Sequence, residues 1–196
     1  IAKSEKEIDV FICENRTLLD IIGYKSAGPG CVLGCAVRPQ QQKLQDVLAA
    51  HPDDKPFRAL ALDGLVDAEN VGSMIRCGAC FGASVILLSP DCCDAWYRRV
   101  IRVSMGHVFN IPVVRHDLVE AQHVIRETMK AKGREFSCIS SVVQNNSKFM
   151  DDIRPKALPN AWMLVIGSEH FGVTQKVRDV SDVCLMVRMA EGVDSL

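Results

Sequence analysis

Residues 58–82 read RALALDGLVDAENVGSMIRCGACFG and contain the first strand–helix pair of the chain. An apolar run over residues 58–62 predicts a buried strand that stops at Asp63-Gly64. A polar loop follows, and then a helix predicted over residues 70–81 that ends at Gly82, a residue type favoured just after a helix. A strand that leads directly into a helix predicts the first half of a right-handed β–α–β unit.

The same alternation continues towards the end of the chain. Strands are predicted over residues 84–88, 109–114, 136–140, 163–166 and 183–187, and helices over residues 96–103, 118–132 and 175–179. We therefore predict an α/β fold, with a parallel sheet covered by helices on both faces. Residues 1–53 are predicted to form a small N-terminal piece with a strand near residues 31–37, and residues 54–196 the α/β domain.

Composition and charge limit the classes of protein that remain. The chain has 196 residues, of which 48% are hydrophobic and 24% charged, as in a globular protein with a core. No apolar run is long enough to cross a bilayer, so no membrane association is expected. The net charge of −1 gives no general support for nucleic-acid binding, so any RNA site must be a local cluster. Arg98, Arg99 and Arg102, together with Arg76, are the candidates, and a solvated helix face is the alternative.

Nine cysteines are present, an odd number in a chain without a visible secretory signal. We expect reduced thiols in a protein of an intracellular, reducing compartment. This compartment is the cytoplasm, or an organelle if a targeting peptide has been removed before Ile1. Cys77 and Cys80 form a C-x-x-C pair without a second ligand pair, so we expect both to pack on a helix, and no metal site.

Ligands of open parallel sheets bind at the carboxyl ends of the strands, and polar loops follow three of the predicted strands. In the first loop, Asn70 and Ser73 can satisfy free amides at the helix start, and Gly72 permits a close approach of the backbone. Arg76 can hold a phosphate or carboxylate through two hydrogen bonds. A capped helix with a surface arginine is the alternative.

The second loop is Gly167-Ser-Glu169-His170-Phe-Gly172, and the third is the run of residues 187–196. Backbone near Gly167 can line a pocket for a small molecule, and Glu169 can orient Arg76 or a ligand. His170 is either a general base or an exposed bystander.

Together, the three loops resemble the signatures of the SpoU/TrmH family of SPOUT methyltransferases. The first signature matches Asp63-Gly64, the run from Asn70 to Ser73, Arg76 and Phe81-Gly82. The second matches Gly167-x-Glu169-x-x-Gly172, and the third matches residues 187–196. Val103 to Gly106, followed by Phe109 and Pro112, resembles the segment between the first two signatures. The resemblance covers about residues 57–196.

This resemblance implies a deep C-terminal trefoil knot, a homodimer and transfer of a methyl group from S-adenosylmethionine to a ribose 2′-hydroxyl of tRNA or rRNA, without a metal. By position in the signatures, it implies catalytic roles for Asn70, Arg76, Glu169 and Ser195. It implies that Gly167, Val187, Met189 and Leu196 bind the cofactor. Residues 1–53 resemble the end of an RNA-binding domain and its linker.

Two departures from the family pattern favour an alternative, a catalytically inactive SPOUT-fold protein that binds RNA or serves as a scaffold. Arg188 stands where the family has a proline. The sequence also stops at Leu196, where the family continues with an asparagine and a final helix. A nucleotide-binding Rossmann-like enzyme is a third possibility, but it requires a G-x-G-x-x-G at the first strand–helix turn, which this sequence does not have.

Overall fold

A computed structural model describes residues 9–23, 32–143, 148–153 and 158–189. The chain divides into two compact units, Ile1–Pro39 and Gln40–Leu196. In the first unit, helix α1 spans Asn15–Ile22 and ends at Gly23. The strand predicted near residues 31–37 is wrong for its described part, residues 32–37, which are exposed and have no regular secondary structure.

The second unit contains all the described strands and the remaining described helices. Its regular elements are α2 Leu44–Ala50, β1 Phe57–Asp63, α3 Ala68–Cys80, β2 Val85–Leu88, α4 Arg98–Val103, β3 Val113–Arg115, α5 Leu118–Ala131, β4 Phe136–Ser141, β5 Lys148–Phe149, β6 Ala161–Gly167, α6 Gln175–Asp179 and β7 Val183–Met186. Two short 3₁₀ helices, His107–Phe109 and Met150–Asp152, precede β3 and follow β5. None of the helices in the described ranges is long and apolar enough to span a membrane.

The strands form one sheet in the order β3-β2-β1-β6-β4-β7-β5, and every described pairing is parallel. The predicted parallel sheet is therefore confirmed. β1 lies between β2 and β6, and its whole length pairs with β6 from Phe57↔Ala161 to Asp63↔Gly167. Because the strands are parallel, the loops after β1, β2, β3 and β6 emerge at the same edge of the sheet.

Helices cover both faces, as the sequence predicted. On one face, Leu48, Ile125 and Val177 of α2, α5 and α6 join a single buried cluster with the sheet. On the other face, Ile75 of α3 and Val100 of α4 belong to a second cluster. The compact unit begins at Gln40, before the boundary predicted after residue 53, because α2 buries two leucines in the main core.

Two glycines of α3 allow this helix to pack closely. A Cβ on Gly72 would lie 2.8 Å from Val103 Cβ of α4, and a Cβ on Gly78 would lie 2.5 Å from Ile86 Cδ1 of the sheet. Ordinary contacts are longer, so only glycine fits at these positions without movement of the neighbours. Gly72 thus serves the contact between α3 and α4.

Candidate active site

The loop after β1 leads into α3 through a capped helix start. Asp67 is the N-cap, and its carboxylate accepts hydrogen bonds from the backbone amides of Glu69 and Asn70, at 2.7 and 3.0 Å. The sequence suggested Asn70 and Ser73 for this role. Because Asp67 satisfies the amides, the side chain of Asn70 is available for a contact outside the helix.

That contact joins two of the predicted site residues. The Asn70 Nδ2 donates a hydrogen bond of 2.8 Å to Glu169 Oε1, across 99 positions of sequence. The second oxygen of Glu169 and the amide oxygen of Asn70 have no partner among the residues that the structure describes. Two hydrogen-bond acceptors are thus held at the carboxyl edge of the sheet, where they can accept hydrogen bonds from a hydroxyl.

A tight turn places Glu169 opposite Asn70. The backbone amide of Gly172 donates to Ser168 O at 2.8 Å, and the Phe171 amide donates to Ser168 Oγ at 3.2 Å. A Cβ on Gly167 would lie 1.9 Å from the carbonyl carbon of Gly172, so the turn folds directly over this glycine. Gly167 is therefore required by the path of its own chain.

A buried acid holds the far end of the same turn. Asp63, the last residue of β1, is only 4% exposed, and its Oδ2 accepts a 2.7 Å hydrogen bond from the amide of Thr174. Thr174 is the residue before α6. The sequence did not assign a role to Asp63 beyond its place in the signature, although an acid at the end of a buried strand was a usable signal.

Arg76 is not part of this hydrogen-bonded pair. α3 begins at Ala68, so Arg76 lies in its third turn, about 9 Å along the axis from Asn70 and roughly 120° around it. Arg76 therefore lies further along α3 than Asn70 and on a different side of it, and its catalytic role stays a prediction. The guanidinium is exposed and has no hydrogen bond or ion pair within the described part of the chain.

The other arginines of the predicted basic cluster lie on α4. Arg98, Arg99 and Arg102 are all exposed, and Arg99 forms an ion pair with Glu69 in the first turn of α3. The cluster is therefore connected to the helix that carries Asn70.

Val187 and Met189 follow β7, and both are half-buried. Ser195 and Leu196, the other two predicted residues of this segment, lie outside the described residues.

The arrangement at Arg188 shows how the loop after β7 is held without the proline of the family pattern. Its guanidinium carbon lies 3.9 Å from the centre of the Phe149 ring, and its nitrogens lie 3.8 and 3.7 Å from the carboxylates of Asp151 and Asp152.

The other two sequence predictions concern His170, as a candidate general base, and the absence of a metal site. His170 is exposed, with its ring 6.4 Å from that of Phe171. No group of three or more potential metal ligands exists among the described residues.

The eight described cysteines are free thiols. Cys77 and Cys80 are exposed, so the expectation that they pack on the helix is wrong. Gly78 between them is the residue that faces the sheet. Cys138 is buried, and burial raises the pKa of its thiol to about 11, which makes it unreactive.

Comparisons with known proteins agree with the sequence signatures. Residues 58–196 match the model of the SpoU rRNA Methylase family. A protein named as an uncharacterized tRNA/rRNA methyltransferase of Mycobacterium tuberculosis is 30% identical over 166 residues, which are 84% of this chain and 54% of that protein. The 23S rRNA (adenosine(1067)-2′-O)-methyltransferase of Streptomyces azureus is 27% identical over 183 residues, 88% of this chain and 60% of that protein.

A solved structure shares the fold. The SpoU methyltransferase AviRb from Streptomyces viridochromogenes, solved in complex with the cofactor AdoMet, matches with a TM-score of 0.68 and 22% identity, over 80% of this chain and 58% of that one. The chain spans about half the length of the mycobacterial relative.

Proposed function

The chain belongs to the SpoU rRNA Methylase family, and we propose that it transfers a methyl group from S-adenosylmethionine to a ribose 2′-hydroxyl of tRNA or rRNA. The hydrogen bond between Asn70 and Glu169 is the observation that carries this proposal. It brings together two residues that the family signatures mark as functional, at the edge of the sheet where α/β proteins bind ligands.

The residues after β6 and β7 fit the proposed cofactor. Val187 and Met189 offer half-buried apolar side chains, and the buried hydroxyl of Thr174 has no hydrogen-bond partner among the described residues. β4 lies between β6 and β7, so the two loops are roughly 10 Å apart, a span suited to an adenosine group. We propose that Gly167 contributes backbone contacts, and that Ser195 and Leu196 complete the site.

The proposed mechanism assigns one task to each polar group. When bound, S-adenosylmethionine would supply a methyl group on a sulfonium: the methyl carbon would bond to the 2′-oxygen while the sulfur leaves with the electron pair of the broken bond as a neutral thioether. The hydroxyl proton would pass to the carboxylate of Glu169. Asn70 and Glu169 orient the hydroxyl so that its oxygen lies about 3–3.5 Å from that carbon. Glu169 also fixes the amide of Asn70. Arg76 holds a neighbouring phosphate and stabilises negative charge that develops on the oxygen.

We propose that the exposed arginines of α4 contact the phosphates of the RNA substrate. The ion pair of Arg99 with Glu69 supports this placement, because it fixes α4 beside the start of α3. The N-terminal RNA-binding remnant and the trefoil knot remain predictions of the family resemblance, and an intracellular, reducing location remains a prediction from the cysteines.

A homodimer is also proposed. A cavity of about 310 Å³ opens on the surface of α3 and β6, with a mainly apolar lining that includes Met74, Phe81, Trp162 and Leu164. Phe81 is 78% exposed. A second copy of the chain would remove this apolar surface from water.

The test is single-turnover methyl transfer by the full-length protein, with labelled cofactor and with tRNA and rRNA as separate substrates. Methylated ribose is recognised by resistance of the adjacent phosphodiester to alkaline hydrolysis. Asn70→Ala is expected to lower the rate about 10²–10³-fold. Asn160→Ala, which changes an exposed asparagine at the opposite edge of the sheet, is the matched control and should keep the wild-type rate.

A catalytically inactive RNA-binding or scaffold protein is the second candidate. The separation of Arg76 from the Asn70–Glu169 pair is the observation that favours it. RNA binding without detectable transfer, by a protein that still folds, would select this candidate and reject the enzyme.

A further inference from the structure

Arg115, the last residue of β3, holds the loop that follows β2. Its half-buried guanidinium donates hydrogen bonds to four carbonyl oxygens of this loop. Nη1 donates to Ser89, Pro90 and Cys92 at 3.0, 2.7 and 2.9 Å, and Nη2 donates to Cys93 at 3.0 Å. Nη1 carries two hydrogens for three acceptors, so one N–H is shared between two carbonyls; the planar guanidinium holds these donors in a fixed geometry.

The loop held by Arg115 in turn holds the end of β1. Ser89 Oγ accepts a 2.9 Å hydrogen bond from the Gly64 amide, and the Cys93 amide donates one of 2.8 Å to the carbonyl of Leu65. Ser89 and Cys92 are buried, so water does not compete strongly for these bonds. No local sequence pattern indicates this arrangement, because the partners of Arg115 lie more than twenty positions away.

The end of β1 is also the start of the site. Leu65 lies two positions before Asp67, the cap of α3, and Asp67 binds the amide of Asn70. Hydrogen bonds thus connect Arg115 through the loop after β2 to Leu65, and the main chain of residues 65–67 connects Leu65 to the cap of α3. The cap binds the backbone amide of Asn70, whose side chain contacts Glu169. A shift of the loop after β2 would move the start of α3 with it.

We propose that Arg115 is a positioning residue for methyl transfer: its guanidinium fixes the loop of residues 89–93 and, through that loop, directs the side chain of Asn70 towards Glu169. This inference rests on the proposed function, because it needs a methyl-transfer rate to observe. It assigns to Arg115 no contact with substrate or cofactor.

The test compares Arg115→Ala and Arg115→Lys with Arg126→Ala. Arg126 is a matched control, because it is also half-buried and donates to a carbonyl, that of Phe136, as well as to Asp182, at the opposite edge of the sheet. Single-turnover rates are measured at saturating RNA and cofactor, with melting temperatures for all variants. Each reaction is repeated with guanidinium ion at concentrations well below those that unfold the protein.

Arg115→Ala should lower the rate about 10–100-fold, because a small displacement of reacting groups has an effect of this size. Affinity for S-adenosylhomocysteine should change little, since the proposed cofactor residues follow other strands. Added guanidinium should restore part of the rate by occupying the vacated position. Arg126→Ala should lower the melting temperature without loss of rate, and guanidinium should not affect it.

Arg115→Lys keeps the test decisive if Arg115→Ala does not fold. A lysine cannot reach four carbonyls at once, so this variant should fold but transfer methyl groups about tenfold more slowly. Hydrogen exchange at the amides of Gly64 and Cys93 should become faster in it. A wild-type rate in a folded Arg115 variant, or an equal loss of rate in Arg126→Ala, overturns this inference alone. A wild-type protein that transfers no methyl group to either RNA overturns the proposed function first.

Discussion

Replacing Gly167 with alanine should displace the turn that carries Glu169. The added Cβ would lie 1.9 Å from Gly172 C, 2.1 Å from the Val173 amide nitrogen and 2.2 Å from Gly172 O. Ordinary van der Waals contact begins at 3.4 Å, so the turn must move by at least about 1.5 Å. The obstacle is the peptide group that joins Gly172 to Val173, and main chain cannot rotate aside as a flexible side chain can.

This displacement is large compared with the contacts that it affects. The Asn70–Glu169 hydrogen bond is 2.8 Å long, and a shift of that size takes the two atoms beyond hydrogen-bonding distance. The same displacement would stretch the 2.7 Å hydrogen bond from the Thr174 amide to Asp63. Overpacking of this kind costs about 1–3 kcal/mol of unfolding free energy. For a chain of this size, the melting temperature should fall by about 2–12 °C.

The rate of methyl transfer should fall by more than the loss of folded protein explains. A misplacement of about 1 Å at a reacting centre can lower a rate about 10²-fold, so single-turnover transfer is expected to drop by that order. Calorimetry with S-adenosylhomocysteine should also show weaker binding, because the backbone of Gly167 is a proposed cofactor contact.

Gly133→Ala is the matched control. Gly133 follows α5 with a φ of 66°, and nothing lies within 4 Å of the position where a Cβ would be. An alanine in that conformation costs about 1–2 kcal/mol, so the melting temperature should fall to a similar extent while the transfer rate stays unchanged. A Gly167→Ala protein that keeps the wild-type rate and cofactor affinity would refute the role given to this turn.

Four further predictions test other parts of the structure. Arg76→Ala should lower the transfer rate about 10²–10³-fold with little change in cofactor affinity, and Arg76→Lys should also fail; an unchanged single-turnover rate would remove Arg76 from the mechanism. Thiol counting under denaturing conditions without reductant should find nine free groups, as the sequence contains nine cysteines, and a Cys77–Cys80 disulfide would contradict this. Sedimentation of this chain should show about twice its mass of 21.6 kDa, and a clean monomer would argue against the proposed dimer surface. Asp117→Ala should lower the unfolding free energy by about 1 kcal/mol, because Asp117 caps α5. Burial alone would raise the pKa of Asp117, but hydrogen bonds from the Glu120 amide, Lys176 and the Val119 amide lower it overall. The contribution of Asp117 to the free energy of unfolding is therefore complete above the unfolded-state pKa of about 3.9. It is lost as the pH falls through the lower folded-state pKa. Urea unfolding at pH 7 and near pH 3 should therefore show a smaller difference between the two proteins at the lower pH.

The sequence by itself determined the fold class and most of the elements. The strand and helix patterns over residues 57–143 are clear. Fully buried strands such as β2 are continuous apolar runs, and the helix α5 has one apolar face. The errors lie where local pattern is weak. The strand predicted near residues 31–37 has suitable residues, but in the described part it has no neighbouring strand to pair with. The two-residue strand β5 is too short to leave a pattern.

The site was predicted in part. Asn70 and Glu169 were found through signature order, and their hydrogen bond is a property of the sheet, since β1 and β6 are neighbours in space but far apart in the chain. Asp67, Asn70 and Ser73 are all of residue types that cap helices, so the local pattern did not show that Asp67 is the cap and that the side chain of Asn70 is released. The exposure of Cys77 and Cys80 likewise depended on which side of α3 meets the sheet.

Only the tertiary structure decided how the site is held in place. The sequence placed the chemical groups in the right loops, because residue type and the ends of strands are local properties. Asp63 accepts a hydrogen bond from a residue 111 positions away, and Arg115 donates to carbonyls more than twenty positions away. These bonds exist only when parallel strands bring their carboxyl ends together. Long-range geometry of this kind follows from the order of strands in the sheet, which the spacing of residues along the chain does not record.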